Sequence, residues 1–341
     1  MPRRPSLVPR RPSPAPSARA HDTNGRRLAR IRMSHSGPAP HLSVVVPTYN
    51  DAALLRHALG RLLDQSLAPA AYEIVVVDDG STDETPQVVA AASPGRVRVR
   101  SVRFDANRGR SAARNAGIRM AEAPVIVFVD SDVLVRRDFL HRHLALHRAA
   151  DRPVVGRGPV VLIPSPVLPD RDPVARTSPA YLDTANASIP RQVLIDAGLF
   201  DEGFRVYGWE DFDLGLRLAE RGIPRVFDPG AIAYHVQPLP TPDSLDRHLA
   251  KEEERARTAL YLLRKHPGPK TRWMIQDTPL QRAAHFLLGG AGMLTVRNAP
   301  RIARWLQARG FYTLAGLVVR GVLNRHYLAS LDRFRMIPEG R

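Results

Sequence analysis

The chain reads as an α/β protein built on a doubly wound, mostly parallel sheet with a helical extension at its C-terminal end. Three observations predict this. β-rich apolar runs alternate with helical segments at the spacing of βαβ units between residues 42 and 133. One of those runs, Val125 to Val133 (VIVFVDSDV), is apolar on both faces and then turns acidic, as a strand buried in an open sheet does where it brings charge to a ligand crevice. The formal charge of +17 is confined to the flanks. Residues 1–40 carry nine Arg against Asp22, residues 241–341 carry 18 Lys and Arg against 8 acids, and the middle has 23 against 24. The middle of the chain is therefore neutral and the tails are basic.

The elements follow in order. Residues 1–40 are rich in Pro, Arg and Ser and poor in bulky apolar residues, so they predict a disordered basic leader. They contain no apolar stretch resembling a secretory signal, and Met33 offers an alternative start that would make the leader an artefact of gene assignment; a transit peptide is the other reading. Ser43 to Asn50 (SVVVPTYN) is a strand expected to stop at Pro47, and Ala52 to Leu63 is a helix. Glu73 to Val77 is a second strand running into Asp78-Asp79-Gly80-Ser81-Thr82-Asp83, and Asp83 to Ala92 is a helix. A third strand, Val97 to Arg103, leads through an Asn107–Gly109 turn to a helix over Ser111 to Glu122. The run from Val125 to Val133 is the fourth strand. Arg137 to Ala150 has helical periodicity, Pro153 to Ile163 reads as one strand, and the proline-rich residues 164–180 form an acceptor-side loop. Tyr207 to Asp213 (YGWEDFD) opens a helix that runs to Gly222.

Several chemistries are excluded. With no cysteine there is no disulfide, zinc thiolate site or cysteine nucleophile. Neither GxGxxG nor GxxxxGK[ST] occurs, which speaks against dinucleotide oxidoreductases and P-loop NTPases. No apolar run reaches the roughly 18 residues of a spanning helix, so a soluble or peripheral protein is expected. Two carboxylates one residue apart, Asp130 and Asp132, suit a hard divalent cation that also accepts phosphate oxygens. A turn or helix-capping role is the plain alternative for such a pair.

VVVPTYN, VVVDDGSTDET, NRGRSAARNAG and FVDSDV, in this order and spacing, resemble family-2 glycosyltransferases of the GT-A fold, a Rossmann-like sheet, over about residues 42–240. The resemblance implies a glycosyltransferase domain over 41–240, a nucleotide-diphosphate sugar as donor (a UDP-sugar foremost), Mn2+ or Mg2+ as cofactor, and inverting transfer of a hexosyl group to a glycan or lipid-linked acceptor, as in polysaccharide biosynthesis. It also assigns roles. Pro47 and Tyr49 would wrap the base and ribose, Asp79 would accept from the base, and Asn107 and Arg114 would lie at the donor pocket. Asp130 would meet the ribose and Asp132 the metal, with His235 as a further metal ligand. Asn186, in TANASIPR, would touch the sugar, Trp209 would lie against a sugar face, Glu210 would bind the acceptor, and Asp211 would be the catalytic base. A direct displacement needs a carboxylate that takes the acceptor proton on the face opposite the leaving diphosphate.

Two rival functions are kept open. A metal-dependent nucleotidyltransferase would keep the acidic strand end without needing the Gly208–Asp211 helix start. A non-catalytic polyanion-binding protein would rest on the basic tails alone and leave the neutral, acid-lined middle unexplained; nucleic acid is not an expected partner. The residues from 241 onward form a separate basic helical extension. Asp246 to Arg264 is a charged helix broken by Pro267 and Pro269, and Pro300 to Gln307 and Phe311 to Phe334 mix apolar residues with Arg. They read either as helices lying on an anionic membrane, peripheral to its cytoplasmic face, or as a bundle packed on the catalytic domain.

Overall fold

The computed structural model describes residues 39–171, 180–237, 244–288 and 292–336. Residues 1–38 of the expected leader and residues 172–179 of the expected acceptor-side loop lie outside the described residues.

Alternation of side chains sets the layers. In β1 (Leu42–Thr48), Val44 and Val46 point to one face and Val45 to the other, and β2 (Tyr72–Asp78) does the same with Ile74 and Val76 against Val75 and Val77. The first face buries α1 (Ala52–Leu63), α2 (Thr85–Ala92) and α4 (Phe139–Ala149) through Leu55, Leu59, Val88, Phe139 and Leu140. The second buries α3 (Arg110–Met120), α5 (Arg191–Asp196) and α6 (Glu210–Glu220) through Ala113, Ile118, Leu194, Leu214 and Leu218. The result is a three-layer helix–sheet–helix sandwich.

The central sheet has seven strands in the order β3-β2-β1-β4-β8-β6-β9. Strand β3 is Arg98–Arg103, β4 Val125–Phe128, β6 Val155–Arg157, β8 Ala187–Pro190 and β9 Arg225–Phe227. Strands β1 to β4 are parallel, and β8 runs antiparallel to both β4 and β6. Strand order reverses between β1 and β4, because the chain first winds outward to β2 and β3 and then returns. A crevice opens at the carboxyl ends of the strands at such a point.

Three expectations about strands need correction. Pro47 does not stop β1; it lies within it, paired with Val77. The missing N–H is tolerated because β4 pairs with β1 only from Leu42 to Val45, so at Pro47 one side of the strand is already free of the ladder. VIVFVDSDV is not one strand. It breaks after Phe128 and resumes as β5 (Val133–Val135) in a second sheet, ordered β5-β10-β7. Pro153 to Ile163 likewise divides, into β6 and β7 (Val160–Ile163), one in each sheet. The second sheet is completed by β10 (Ala233–Val236), antiparallel to β5 and parallel to β7.

The C-terminal extension folds as helices α7 (Leu245–Lys265), α8 (Pro269–Met274), α9 (Pro279–Leu288), α10 (Ala299–Ala308) and α11 (Tyr312–Arg335). It packs on the α/β layers: Phe204, Trp209 and Leu216 share a core with Ala256, Ala259 and Leu262 of α7 and with Tyr327, Leu328 and Leu331 of α11. The bundle reading therefore holds for α7 and the second half of α11.

A buried carboxylate fastens this junction. Asp213 of α6 lies 2.7 Å from Arg217, 2.8 Å from Lys265 of α7 and 2.9 Å from His266. Burial alone would raise its pKa, but these partners outweigh burial and hold it below the usual carboxylate range. Asp213→Ala should destabilise the protein by about 1–3 kcal/mol, since it removes a buried acceptor bonded to three partly exposed groups, and urea unfolding would measure it. The sign of the pH dependence follows from the depressed pKa. The contribution is complete above the unfolded value near ~3.9 and is lost as pH falls through the folded one, so the gap between wild type and variant should narrow in acid. A gap that is unchanged on acidification would remove Asp213 from this role.

Candidate active site

Three strand ends meet at the crevice: Tyr49-Asn50-Asp51 after β1, Asp78-Asp79-Gly80-Ser81 after β2, and Asp130-Ser131-Asp132 after β4. Local bonds fix each turn. Asp78 Oδ1 accepts from Ser81 N–H at 2.8 Å, and the Asn50 N–H donates to Ser81 Oγ at 2.9 Å. Gly80 is required here, with φ at +81° and any Cβ placed 2.7 Å from the Ala106 carbonyl carbon.

Asp79 is buried and works as a strut. Its two oxygens accept the backbone N–H groups of Arg108 at 2.7 Å and Gly109 at 2.9 Å, which fixes the turn before α3. Gly109 sits at φ +90° with the Arg205 carbonyl oxygen 2.9 Å from where a Cβ would stand. Asn107 supports the same turn, its Oδ1 accepting from Gly109 N–H at 3.2 Å. Tyr49 is 47% exposed beside this wall, free to meet a planar group.

The acidic turn after β4 is where the two sheets join. Register places His235 of β10 opposite Val133 of β5, and Val236 N–H donates to the Asp132 carbonyl at 2.8 Å. His235 Nε2 and Asp132 Oδ2 are consequently 3.0 Å apart although 103 residues separate them. Burial would lower the His235 pKa, but Asp132, with Asp130 and Asp183 behind it, outweighs burial and raises it. For Asp132 burial likewise opposes the outcome, and the bond to His235 lowers its pKa. Both side chains stay about 30% exposed, so the pair is reachable. Among the described residues no group of three or more His, Cys, Asp or Glu side chains holds a metal alone. One imidazole nitrogen and one carboxylate do fit a divalent ion that takes its other ligands from phosphate and water.

The opposite wall is the start of α6. Gly208 at φ +108° and Trp209 at φ +70° turn the chain sharply, so that Glu210 and Asp211 enter the first helical turn. Arg114 joins this wall to the floor. Fully buried, it donates from Nη1 to Glu210 and from Nη2 to Asp130, each at 2.8 Å. Asp211, by contrast, accepts among the described residues only from the Phe212 N–H of its own turn, at 2.8 Å. Burial, then the neighbouring charges of Glu210 and Asp183, push its pKa well above the ordinary value. A carboxyl tuned in this way is a candidate general base.

Against this geometry, the sequence profile described as Glycosyl transferase family 2 matches residues 43–166. Over those residues the chain is similar to that family. Validoxylamine A glucosyltransferase of Streptomyces hygroscopicus subsp. limoneus is 36% identical over 224 residues, covering 54% of this chain and 49% of that protein. The succinoglycan biosynthesis protein ExoO of Rhizobium meliloti is 42% identical over 111 residues, covering 33% of this chain and 31% of its own. The chain thus spans about half the length, or less, of these curated relatives. Among solved structures, the mannosyltransferase PcManGT from Pyrobaculum calidifontis, in complex with GDP-Man and Mn2+, superposes with a TM-score of 0.56 at 20% identity over 87% of this chain and 88% of that one. S. aureus TarS 1-349 superposes at 0.51 and 19% over 88% and 93%. These two likenesses give the GT-A fold.

Within this domain several sequence-based roles change. Asn186 does not face a sugar: fully buried, it donates to the carbonyls of Pro159 at 2.8 Å and Ala231 at 2.7 Å, and its oxygen lies 3.0 Å from His143. Trp209 is not a sugar platform either. It lies under α7, its indole N–H donating to the Arg255 carbonyl at 2.9 Å. The exposed ring nearby is Tyr207, with the Arg110 guanidinium 4.8 Å and the Lys251 ammonium 5.9 Å from its centre. Glu210, 3% exposed and locked to Arg114, is out of an acceptor's reach. Arg114 itself is an internal bridge, bonded to Asp130 and Glu210.

Sequence reasoning missed four residues. Asp51 accepts from Ser131 Oγ at 2.7 Å, and burial, with Asp132 and Asp83, pushes its carboxyl up to about 6. Arg110 and Lys251 bring positive charge to this cluster, Arg110 acting on Asp132 and Lys251 on Asp51. Asp183 acts on both Asp211 and His235. A third strand-end acid, Asp51, was visible in YND; the other three depend on contacts distant in sequence. Asp132→Asn should lower the His235 pKa, because the Asp132 carboxylate is the largest of the charges that offset burial there. Histidine NMR titration of metal-free protein would measure the fall, and an unchanged value would mean that the pair does not form.

Proposed function

We propose that the chain transfers a hexosyl group from a nucleotide-diphosphate sugar, a UDP-sugar foremost, to a hydroxyl of a glycan or lipid-linked acceptor with inversion at the anomeric carbon. The observation that carries this reading is that Asp211, a carboxyl raised well above its usual pKa, follows Glu210, which Arg114 ties to Asp130, two residues before the Asp132 of the Asp132–His235 pair. A nucleotidyltransferase would need the pair but has no use for the tuned acid on α6. A hexosyl donor agrees with the glucosyltransferase name of the Streptomyces relative.

In this mechanism the base of the nucleotide packs on Tyr49 beside Pro47, and its edge uses a lone pair left on the Asp79 carboxylate. Asp130, fixed by Arg114, meets the ribose. A divalent ion bound by Asp132 and His235 would neutralise the charge that develops on the diphosphate. Arg110, near Asp132, adds positive charge on the same side. Asp211 takes the acceptor hydroxyl proton as that oxygen attacks the anomeric carbon, and the bond from this carbon to the diphosphate oxygen breaks on the opposite face. Its raised pKa makes it a stronger base than a solvated carboxylate. Glu210 is a positioning residue that keeps Arg114, and through it Asp130, in place.

Two experiments test this. Asp211→Asn should lower the rate of transfer by roughly a hundredfold or more with donor affinity near wild type. The wild-type rate should also rise with pH through a pKa above the ordinary carboxylate range, because the base must be ionised. Wild-type turnover in that variant would move the base elsewhere. Asp132→Ala should abolish Mn2+-stimulated binding of UDP-glucose measured by calorimetry, and metal-dependent affinity that survives intact would exclude the Asp132 site.

A further inference from the structure

Between Asp277 and Asp332 the sequence has seven Arg and no Asp, Glu or Lys. In a chain that is 24% charged, so long a stretch without acid calls for a reason. These residues form α9, α10 and the first half of α11, and the structure divides each helix into two faces. The inner faces of α10 and α11 are apolar, Ala303 of α10 packing with Ala315 and Val319 of α11 and Leu245 of α7, whereas α9 meets the rest through Arg282 and His285. The outer faces carry large apolar side chains in the open. On α9 these are Leu280, 71% exposed, and Leu287, 70% exposed, seven positions apart and therefore on one face. Phe311, Leu314 and Leu317 repeat at three-residue spacing into α11, each about half exposed, and Trp305 of α10 is 55% exposed.

The arginines on the outer side lack counter-ions. Arg297, Arg301, Arg304 and Arg320 form no ion pair among the described residues, whereas Arg282, at the inner end of α9, is held by Asp277 and Asp332. Arg309 lies flat over the Trp305 ring at 3.9 Å. Exposed leucine and aromatic side chains among unpaired arginines, on helices too short or too charged to cross a bilayer, match an apolar face sunk to the headgroup–acyl boundary with cations at the phosphates. A protein partner of ordinary surface would leave unpaired cations at the contact.

We propose that the outer faces of α9, α10 and the first half of α11 form a docking surface for an anionic lipid bilayer. On this proposal the bundle reading holds for α7 and the second half of α11, and the membrane reading for the outer faces of the helices beside them. This inference does not depend on the transfer chemistry.

The test is flotation of full-length protein with phosphatidylglycerol–phosphatidylcholine vesicles. The protein should float with these and not with pure phosphatidylcholine, and salt should release it. Trp305 emission should shift to the blue on binding, read in a Trp273→Phe background because Trp273 is also exposed. Arg301→Gln with Arg304→Gln should weaken binding about fivefold per arginine. Leu287→Ser with Leu317→Ser should weaken it while leaving the melting temperature unchanged, because both side chains are already exposed. The idea fails if the protein does not float with anionic vesicles, or if neither double variant changes flotation. It fails too if light scattering finds a dimer that the leucine variant splits, since a second copy then covers the face. Equal binding to heparin, indifferent to the leucine variant, would also overturn it in favour of a soluble polyanion.

Discussion

The site depends on one buried guanidinium. Arg114 of α3 is taken out of water between Asp130, at the end of β4, and Glu210, at the start of α6. Burying a charge in this way is costly unless its partners are well placed, so the three residues hold one another to a single arrangement. The arrangement matters because the acids that would do chemistry are neighbours of the acids that are held. Asp132 follows Asp130 by two residues, and Asp211 follows Glu210 by one. Tying the first of each pair to Arg114 fixes the end of β4 against the start of α6, and with it the places of Asp132 and Asp211.

The same division between anchoring and working groups recurs in α6. Glu210, Asp211 and Asp213 all sit in its first turn, yet among the described residues only Asp211 has no cation bonded to it. Asp213 is turned inward to Lys265 and His266, which fastens the C-terminal helices to the catalytic layers. The extension in turn contributes to the site, since Lys251 of α7 acts on Asp51 and stands over the Tyr207 ring. Among the described residues the helices after residue 244 therefore pack on the α/β layers on one side and expose large apolar side chains on the other.

Where sequence reasoning erred, the reason was packing. Trp209 and Asn186 carry the side-chain chemistry of sugar contacts, but α7 covers one and three buried partners occupy the other. An indole or a carboxamide looks the same in a sequence whether it is covered or open. The run VIVFVDSDV looked like one strand because apolar β-formers continue on both sides of the acids, and nothing local says that the chain changes sheet between them.

What the sequence determined by itself was whatever is local or periodic. The alternation of Val44, Val45 and Val46, the helices flanking each strand, the Asp-rich strand ends and the glycines that turn at positive φ gave the α/β layout and put Asp79, Asp130 and Asp132 at one edge of it. Tertiary structure decided which distant groups meet there and which of them are buried. His235 reaches Asp132 only through the β5–β10 register, Arg114 becomes a bridge only when α6 closes over α3, and the pKa of Asp211 rises only once Glu210 and Asp183 lie beside it in a desolvated pocket. Charge interaction and desolvation depend on distance and burial in space, and neither quantity is written along the chain.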